Sequence, residues 1–434
     1  MFRPGILKLA FALAPAVFAV ISLGTFAPAR AAAPAAAAPA AGGHLSLEDA
    51  LRAAEETSPL LRRARAERDA VAARDVGASV LLPSNPIIGG GAGPRREGPP
   101  SNADSFRGLD YFVHAEQTVE VGGQRSARRA VVSRALHTAE LRVQVARAET
   151  RARVRAAYVG TQLALARVDA AAQREALVTK LLEAVRARVA GGASSNVDLE
   201  LARLERGSAT RARIDATLAT ADAVARLRLL LGLAPGKALA LDPQVAAPAT
   251  RAEALAPLLA RAQRQRAELG ALTSGIEEID ADIVRLKREI IPSPTLFVDL
   301  HRDLPGQLFI GGGLAVPIPV WRRQQGELAL ARADRSRVEE ERMLVERDVA
   351  LEVERAFQAE AAQREMSQVL DHEILPAADA AVTLMTEGWR AGKFDLFRLL
   401  QTSRDASEAR RLYLETLGLL WDSSIALDRA VGAP

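Results

Sequence analysis

The chain has 434 residues, no cysteine, only 4% aromatic residues and a formal net charge of +4 at pH 7. These figures exclude a disulfide framework and a lipid-acylated cysteine, and they argue against the aromatic-rich packing of two or three globular domains expected at this length. Basic and acidic residues are interleaved, as in Arg337-Val338-Glu339-Glu340-Glu341-Arg342, which is the pattern of a solvated helix face rather than of a nucleic-acid-binding surface.

Residues 1–31 are predicted to be a secretory signal. Arg3 and Lys8 supply the positive start, an apolar run follows, and Ala29-Arg30-Ala31 offers a small-x-small cleavage site. Removing Arg3, Lys8 and Arg30 takes the formal charge from +4 to +1. Residues 32–43, rich in Ala and Pro, form a linker predicted to be disordered.

Order is predicted from Leu45, with Ser46 as N-cap and Asp49 at the third position of a helix that reaches about Leu82, broken at Pro59. Two extended candidates follow at about 85–93 and 111–121. In the second, Tyr111, Val113, Ala115, Val119 and Val121 alternate with Phe112, His114, Glu116, Thr118 and Glu120. A strand with lipid on one side and water on the other fits that alternation, and a soluble hairpin fits it equally.

A helical hairpin is predicted over 124–231. Its first arm, to Val189, has no proline, and at 1.5 Å per residue about 65 residues span roughly 100 Å, more than a globular domain accommodates. Gly191-Gly192-Ala193-Ser194-Ser195 makes the turn. After a linker, 236–250, the plan repeats: a helix over 251–291, strands at about 295–302 and 308–316, and a hairpin over 321–430 that turns at Gly392. Pro376 is predicted to split the second long arm into stacked helices. The repeats are therefore assigned to 44–235 and 251–432. Four short strands cannot close a barrel in lipid, where an open edge leaves unpaired backbone groups, so strands placed in a membrane call for several copies of the chain.

The duplicated order, the segment Gln117-Thr118-Val119-Glu120-Val121-Gly122-Gly123-Gln124-Arg125, its counterpart Leu314-Ala315-Val316-Pro317-Ile318-Pro319-Val320-Trp321 and the two glycine-then-Asp-Leu turns resemble the TolC family of outer-membrane factors. The stretch from Val119 to Arg125 resembles its CzcC-like, heavy-metal efflux branch. This resemblance implies a mainly α fold with a small β part: an α-helical barrel in the periplasm, continued by a transmembrane β-barrel of about 12 strands in a homotrimer. It implies contact with outer-membrane lipid, docking to a periplasmic adaptor and, through it, to an inner-membrane pump of the resistance-nodulation-division type. The function implied is that of an exit duct for solutes, with heavy-metal cations as a candidate cargo. The alternatives are a soluble periplasmic coiled-coil adaptor or scaffold, and the duct of a type I secretion or drug efflux system.

Carried over by position, the gating or adaptor-docking tip comprises Gly191, Asp198 and Leu199 in the first turn and Gly392, Asp395 and Leu396 in the second. Asp198 and Asp395 suit helix caps. One of them, repeated by symmetry, also suits an acidic ring that pairs with Arg188, Arg390 or Lys393 when closed and selects cations when open. Arg398 stands a turn beyond Asp395, where the family often has a second acid.

The five histidines, His44, His114, His137, His301 and His372, show no ligand spacing, and no metal site is predicted. Gly89-Gly90-Gly91 and Gly311-Gly312-Gly313 lack the lysine of a phosphate loop. No nucleophile, base and orienting group fall together, so neither catalysis nor a cofactor is expected. No nucleic-acid partner is expected either.

Overall fold

The computed structural model describes residues 44–96, 107–234, 236, 239–241, 245–302 and 307–433, all within the Pro39–Pro434 unit of the chain. The predicted signal and the Ala/Pro linker lie outside the described residues.

The first half runs α1 (Leu47–Thr57), α2 (Pro59–Ala78), β1 (Ile87–Arg96), β2 (Arg107–Thr118), α3 (Gln124–Ala190) and α4 (Asn196–Leu230). The second runs α5 (Leu255–Gln265), α6 (Ala267–Glu289), β3 (Thr295–Arg302), β4 (Leu308–Ala315), α7 (Gln325–Val369), a π-helical turn (Leu370–Ile374), α8 (Leu375–Arg390) and α9 (Leu396–Val431). The fold is mainly α with one small sheet, as the composition predicts. α3 has 67 residues. Without proline to remove a ladder donor, and rich in Ala, Arg, Leu and Glu, it runs uninterrupted.

Three local predictions need correction. The first strand pair runs Ile87–Arg96 and Arg107–Thr118 rather than about 85–93 and 111–121, so Val119, Glu120 and Val121 lie beyond the ladder, where β2 has no further pairing partner on β3 past Thr295. The helix expected over 251–291 begins at Leu255 and breaks at Arg266, whose ψ is 116°. Ser58 makes the equivalent break before Pro59 with ψ 122°. No proline marks the second break, because a tertiary contact causes it: Arg266 turns inward and donates to the Ala430 carbonyl at 3.2 Å and to Glu352 at 2.6 Å. Pro376, in turn, does not split the long arm into separate stacked helices. The preceding π-helical turn widens the ladder, and Pro376 falls in the first turn of α8, where its missing N–H and ring are tolerated.

Two buried clusters pack the duplicated units alike. α1 sits on α3 through Leu45, Ala50, Ala54, Val154 and Tyr158, joined by Leu227 and Leu417. α5 sits on α7 through Leu258, Ala262, Val349 and Val353, joined by Leu427. Each fully buried leucine contributes about 2 kcal/mol of transfer free energy. Between the helices, small hydroxyl residues allow close approach, as where Thr138 and Ser274 meet at 3.0 Å.

The strands form one antiparallel sheet in the order β1-β2-β3-β4. β1 and β4 are its two edges. Register sets the faces. One carries Ile88, Val113, Ala115, Leu296, Val298, Leu300, Ile310 and Leu314, most of them exposed. The other carries Gly89, Gly91, Phe112, His114, Glu116, Thr118, Thr295, Phe297, Asp299, His301, Phe309, Gly311 and Gly313. On this face a Cβ at Gly91, Gly311 or Gly313 would strike the ring of Phe112, Phe309 or Phe297, so the rings cover backbone that any other residue would obstruct.

Candidate functional site

At the far end of the helices from the sheet, the two hairpin turns are built alike. After α3, Gly191, Gly192 and Ala193 donate their N–H groups to the Ala187, Val189 and Arg188 carbonyls, and after α8, Ala391, Gly392 and Lys393 donate to those of Glu387, Trp389 and Gly388. Gly192 and Gly392 have φ of 73° and 72°, a left-handed conformation that a side chain disfavours.

The return helices start differently. Ser195 caps α4: the Asp198 N–H donates to its hydroxyl at 3.1 Å, and the Ser195 N–H donates back to the Asp198 carboxylate at 3.0 Å. Ser194 adds a hydroxyl donor at 2.7 Å. These donors, the Ser195 N–H first, hold the Asp198 carboxyl below its usual range, with the Arg188 charge adding to them. α9 is capped by Asp395 itself, which accepts the Arg398 N–H at 2.8 Å. Counted from the left-handed glycines, Asp395 matches Ser195 and Arg398 matches Asp198. The Asp-Leu correspondence drawn from sequence is therefore displaced by one helical turn.

Arg188 engages Trp389 rather than bonding directly to either acid. It donates to the Trp389 carbonyl at 2.9 Å, and its guanidinium carbon stands 4.9 Å from the centre of that ring. Trp389 is buried with Leu182, Val185, Ala202, Leu396, Leu399 and Leu400, and Leu199 packs against this cluster. Phe394 covers Gly388. Arg390, Lys393, Asp395 and Arg398 are exposed, and Arg398 comes within 4.0 Å of Asp395. Asp198 is the third-position partner of the Ser195 cap and, among the described residues, forms no salt bridge within this chain.

One residue that sequence reasoning passed over ties the hairpins together. Glu205 of α4 is 1% exposed and accepts from Arg174 of α3 at 2.5 Å and from Arg404 of α9 at 2.7 Å. A buried carboxylate with arginines on both sides is strongly destabilised by loss of either partner. Nothing local marks it, since it sits in one of many Arg/Glu-rich helical runs.

The sheet assembles a second group from distant residues. His114 Nδ1 lies 2.7 Å from Asp299 Oδ1, and its Nε2 lies 3.4 Å from Glu116 Oε2. The three point from the glycine-bearing face. Among the described residues, no group of three or more His, Asp or Glu is arranged to hold a metal ion, and no helix is long and apolar enough to cross a membrane.

A sheet with one exposed apolar face and one glycine-rich face, attached to paired helices of this length, is the arrangement expected of one class of protein, the outer-membrane channels. Comparison with known proteins agrees. The family described as outer membrane efflux protein matches residues 50–233 and 293–433, and the chain belongs to that family. It is similar to the cobalt-zinc-cadmium resistance protein CzcC of Cupriavidus metallidurans, with 28% identity over 324 residues, covering 72% of this chain and 75% of the relative. In fold it is similar to CusC, with a TM-score of 0.70 at 16% identity, covering 89% of this chain and 92% of that one. The CmeC channel of Campylobacter jejuni gives 0.71 at 16% identity, covering 89% and 85%.

Proposed function

We propose that three copies of this chain form one duct, the exit channel of a tripartite efflux system. The observation that carries this reading is the sheet. Its exposed apolar face requires a nonpolar surround, yet its two open edges cannot remain unpaired there. Pairing β4 of one copy with β1 of the next removes both edges, and three copies make a barrel of about 12 strands. The helices then continue that barrel into the periplasm. In this arrangement the repeats 44–235 and 251–432, joined by 236–250, are two structural units of the helical wall.

The tips formed by Arg188, Gly191, Asp198, Leu199, Arg390, Gly392, Lys393, Asp395, Leu396 and Arg398 meet the periplasmic adaptor and close the duct. Exposed Arg390, Lys393, Asp395 and Arg398 supply charges for contacts with neighbouring copies or the adaptor. The inner-membrane pump, of the resistance-nodulation-division type, delivers cargo through the adaptor. Similarity to CzcC supports heavy-metal cations as that cargo. The residues suit transport rather than catalysis.

The duct reading is tested by fractionation and by the mass of the detergent-extracted particle. A membrane-bound trimer is expected, and a monomer or a soluble periplasmic protein overturns it. Cargo is tested separately by deleting the gene: lower tolerance to cobalt, zinc or cadmium is expected, and unchanged metal tolerance with heightened drug sensitivity overturns the metal assignment.

A further inference from the structure

The register of the sheet places one polar row at a single level. Gly89 is opposite His114, His114 opposite Asp299, and Asp299 opposite Gly311. Gly89 leaves open space on the imidazole side of the row, while on the carboxylate side the Phe309 ring lies over Gly311 and the Phe297 ring stands 6.0 Å from the imidazole. Glu116 follows one step along the same face, opposite Ile87 and Phe297. His114, Glu116 and Asp299 are each about one-third exposed, at 32%, 34% and 37% of their side chains. From the Thr118–Thr295 level to the Phe112–His301 level this face carries no lysine or arginine. At neutral pH two carboxylates outnumber one imidazole, so the row is net negative whether or not that ring holds a proton.

We propose that the Gly89-His114-Asp299-Gly311 row, with Glu116, is a cation-selecting element of the strand-lined lumen; this rests on the duct reading above. The three side chains engage one another instead of converging on a centre, so the row acts through its field on passing hydrated cations rather than by chelation. Closure by three copies repeats it at one height as a ring. Low-dielectric strands behind the ring focus its field into the lumen, where it concentrates cations and repels anions. The Asp299 and Glu116 carboxylates lie 2.7 and 3.4 Å from the two ring nitrogens; the imidazolium donates to both, and the neutral ring to one of them.

The chain has no cysteine, and a Cβ at Gly89 meets nothing within 4 Å, so Gly89→Cys places a single thiol beside the row. The full chain is assembled in outer-membrane vesicles and treated with cationic and anionic methanethiosulfonates of matched size. The cationic reagent is expected to react faster, and its advantage to fall about twofold or more when Glu116→Gln and Asp299→Asn are added. An unchanged rate ratio overturns the proposal and leaves the duct intact. If the combined variant fails to insert, Glu116→Gln alone carries the same test, since its carboxylate makes only the longer contact. A thiol at Gly89 that is inert to both reagents while one at Ala92, on the opposite face, reacts means that the faces are reversed. That result overturns the duct reading together with this proposal.

Discussion

The first hairpin tip runs Gly192-Ala193-Ser194-Ser195 into α4 and the second runs Gly392-Lys393-Phe394-Asp395 into α9. Their backbones take the same turn, with matching left-handed glycines and matching sets of three closing hydrogen bonds. Their charges are placed oppositely. In the first, the acid lies inside the first helical turn and is surrounded by Ser194 and Ser195 donors. In the second, the acid is the cap, its carboxylate is mostly exposed, and a basic Arg398 occupies the position of Asp198. One backbone motif can therefore support a closed, self-satisfied helix start and an open one whose charges remain available to another surface.

The largest change to this pair of tips is expected from Trp389→Ala. It empties the cluster shared by both hairpins and removes the ring under Arg188, at a cost of about 3–5 kcal/mol. Hydrogen exchange should show both tips opening together, and faster exchange confined to α8 and α9 would mean that they are not coupled. Next are Gly192→Val and Gly392→Val. Each forces a β-branched residue into a left-handed conformation at about 1–2 kcal/mol, and equal losses of local protection at both turns would confirm that the backbones are equivalent.

Asp198→Ala should cost about 1 kcal/mol through loss of the reciprocal cap, read as faster exchange at the start of α4. Acid should have a similar effect. Because the folded-state value of Asp198 is depressed, its contribution is present above the ordinary carboxylate range and is lost as pH falls through the lowered value. Wild-type α4 should therefore loosen at its first turn in acid, whereas the Asp198→Ala chain should show less added loosening there. The smallest effect is expected from Arg398→Glu, which places an acid where the first tip has one. It should slow exchange at the start of α9, a gain of about 0.5 kcal/mol, and unchanged exchange would show that the helix-end charge contributes nothing at so exposed a site.

The mainly α fold, the long proline-free helix and the glycine turns follow from local pattern. Helix periodicity, absence of proline and the demand for left-handed glycine act within a few residues, as does the cap read for Asp395; α4 is capped by Ser195, with Asp198 as its third-position partner. The break at Arg266 was not legible, because its cause is the Ala430 carbonyl, 164 positions away. The Asp198–Asp395 correspondence failed for a related reason. A shared Asp-Leu pair suggested one alignment, but the left-handed glycines impose another, three residues displaced. His114 looked isolated because its partner Asp299 is 185 positions distant.

By itself, the sequence determined the long helices, the two glycine turns and the alternation over 111–118, since each depends on neighbours a few positions apart, but not the break at Arg266 or the strand ends. Only the tertiary structure decided which charges meet. In helices this rich in Arg and Glu, many pairings have comparable energy in isolation. The packing of α3, α4 and α9 buries Glu205 between Arg174 and Arg404, and the strand register sets His114 beside Asp299. Those choices are made by surfaces that exist only once the helices and strands have come together.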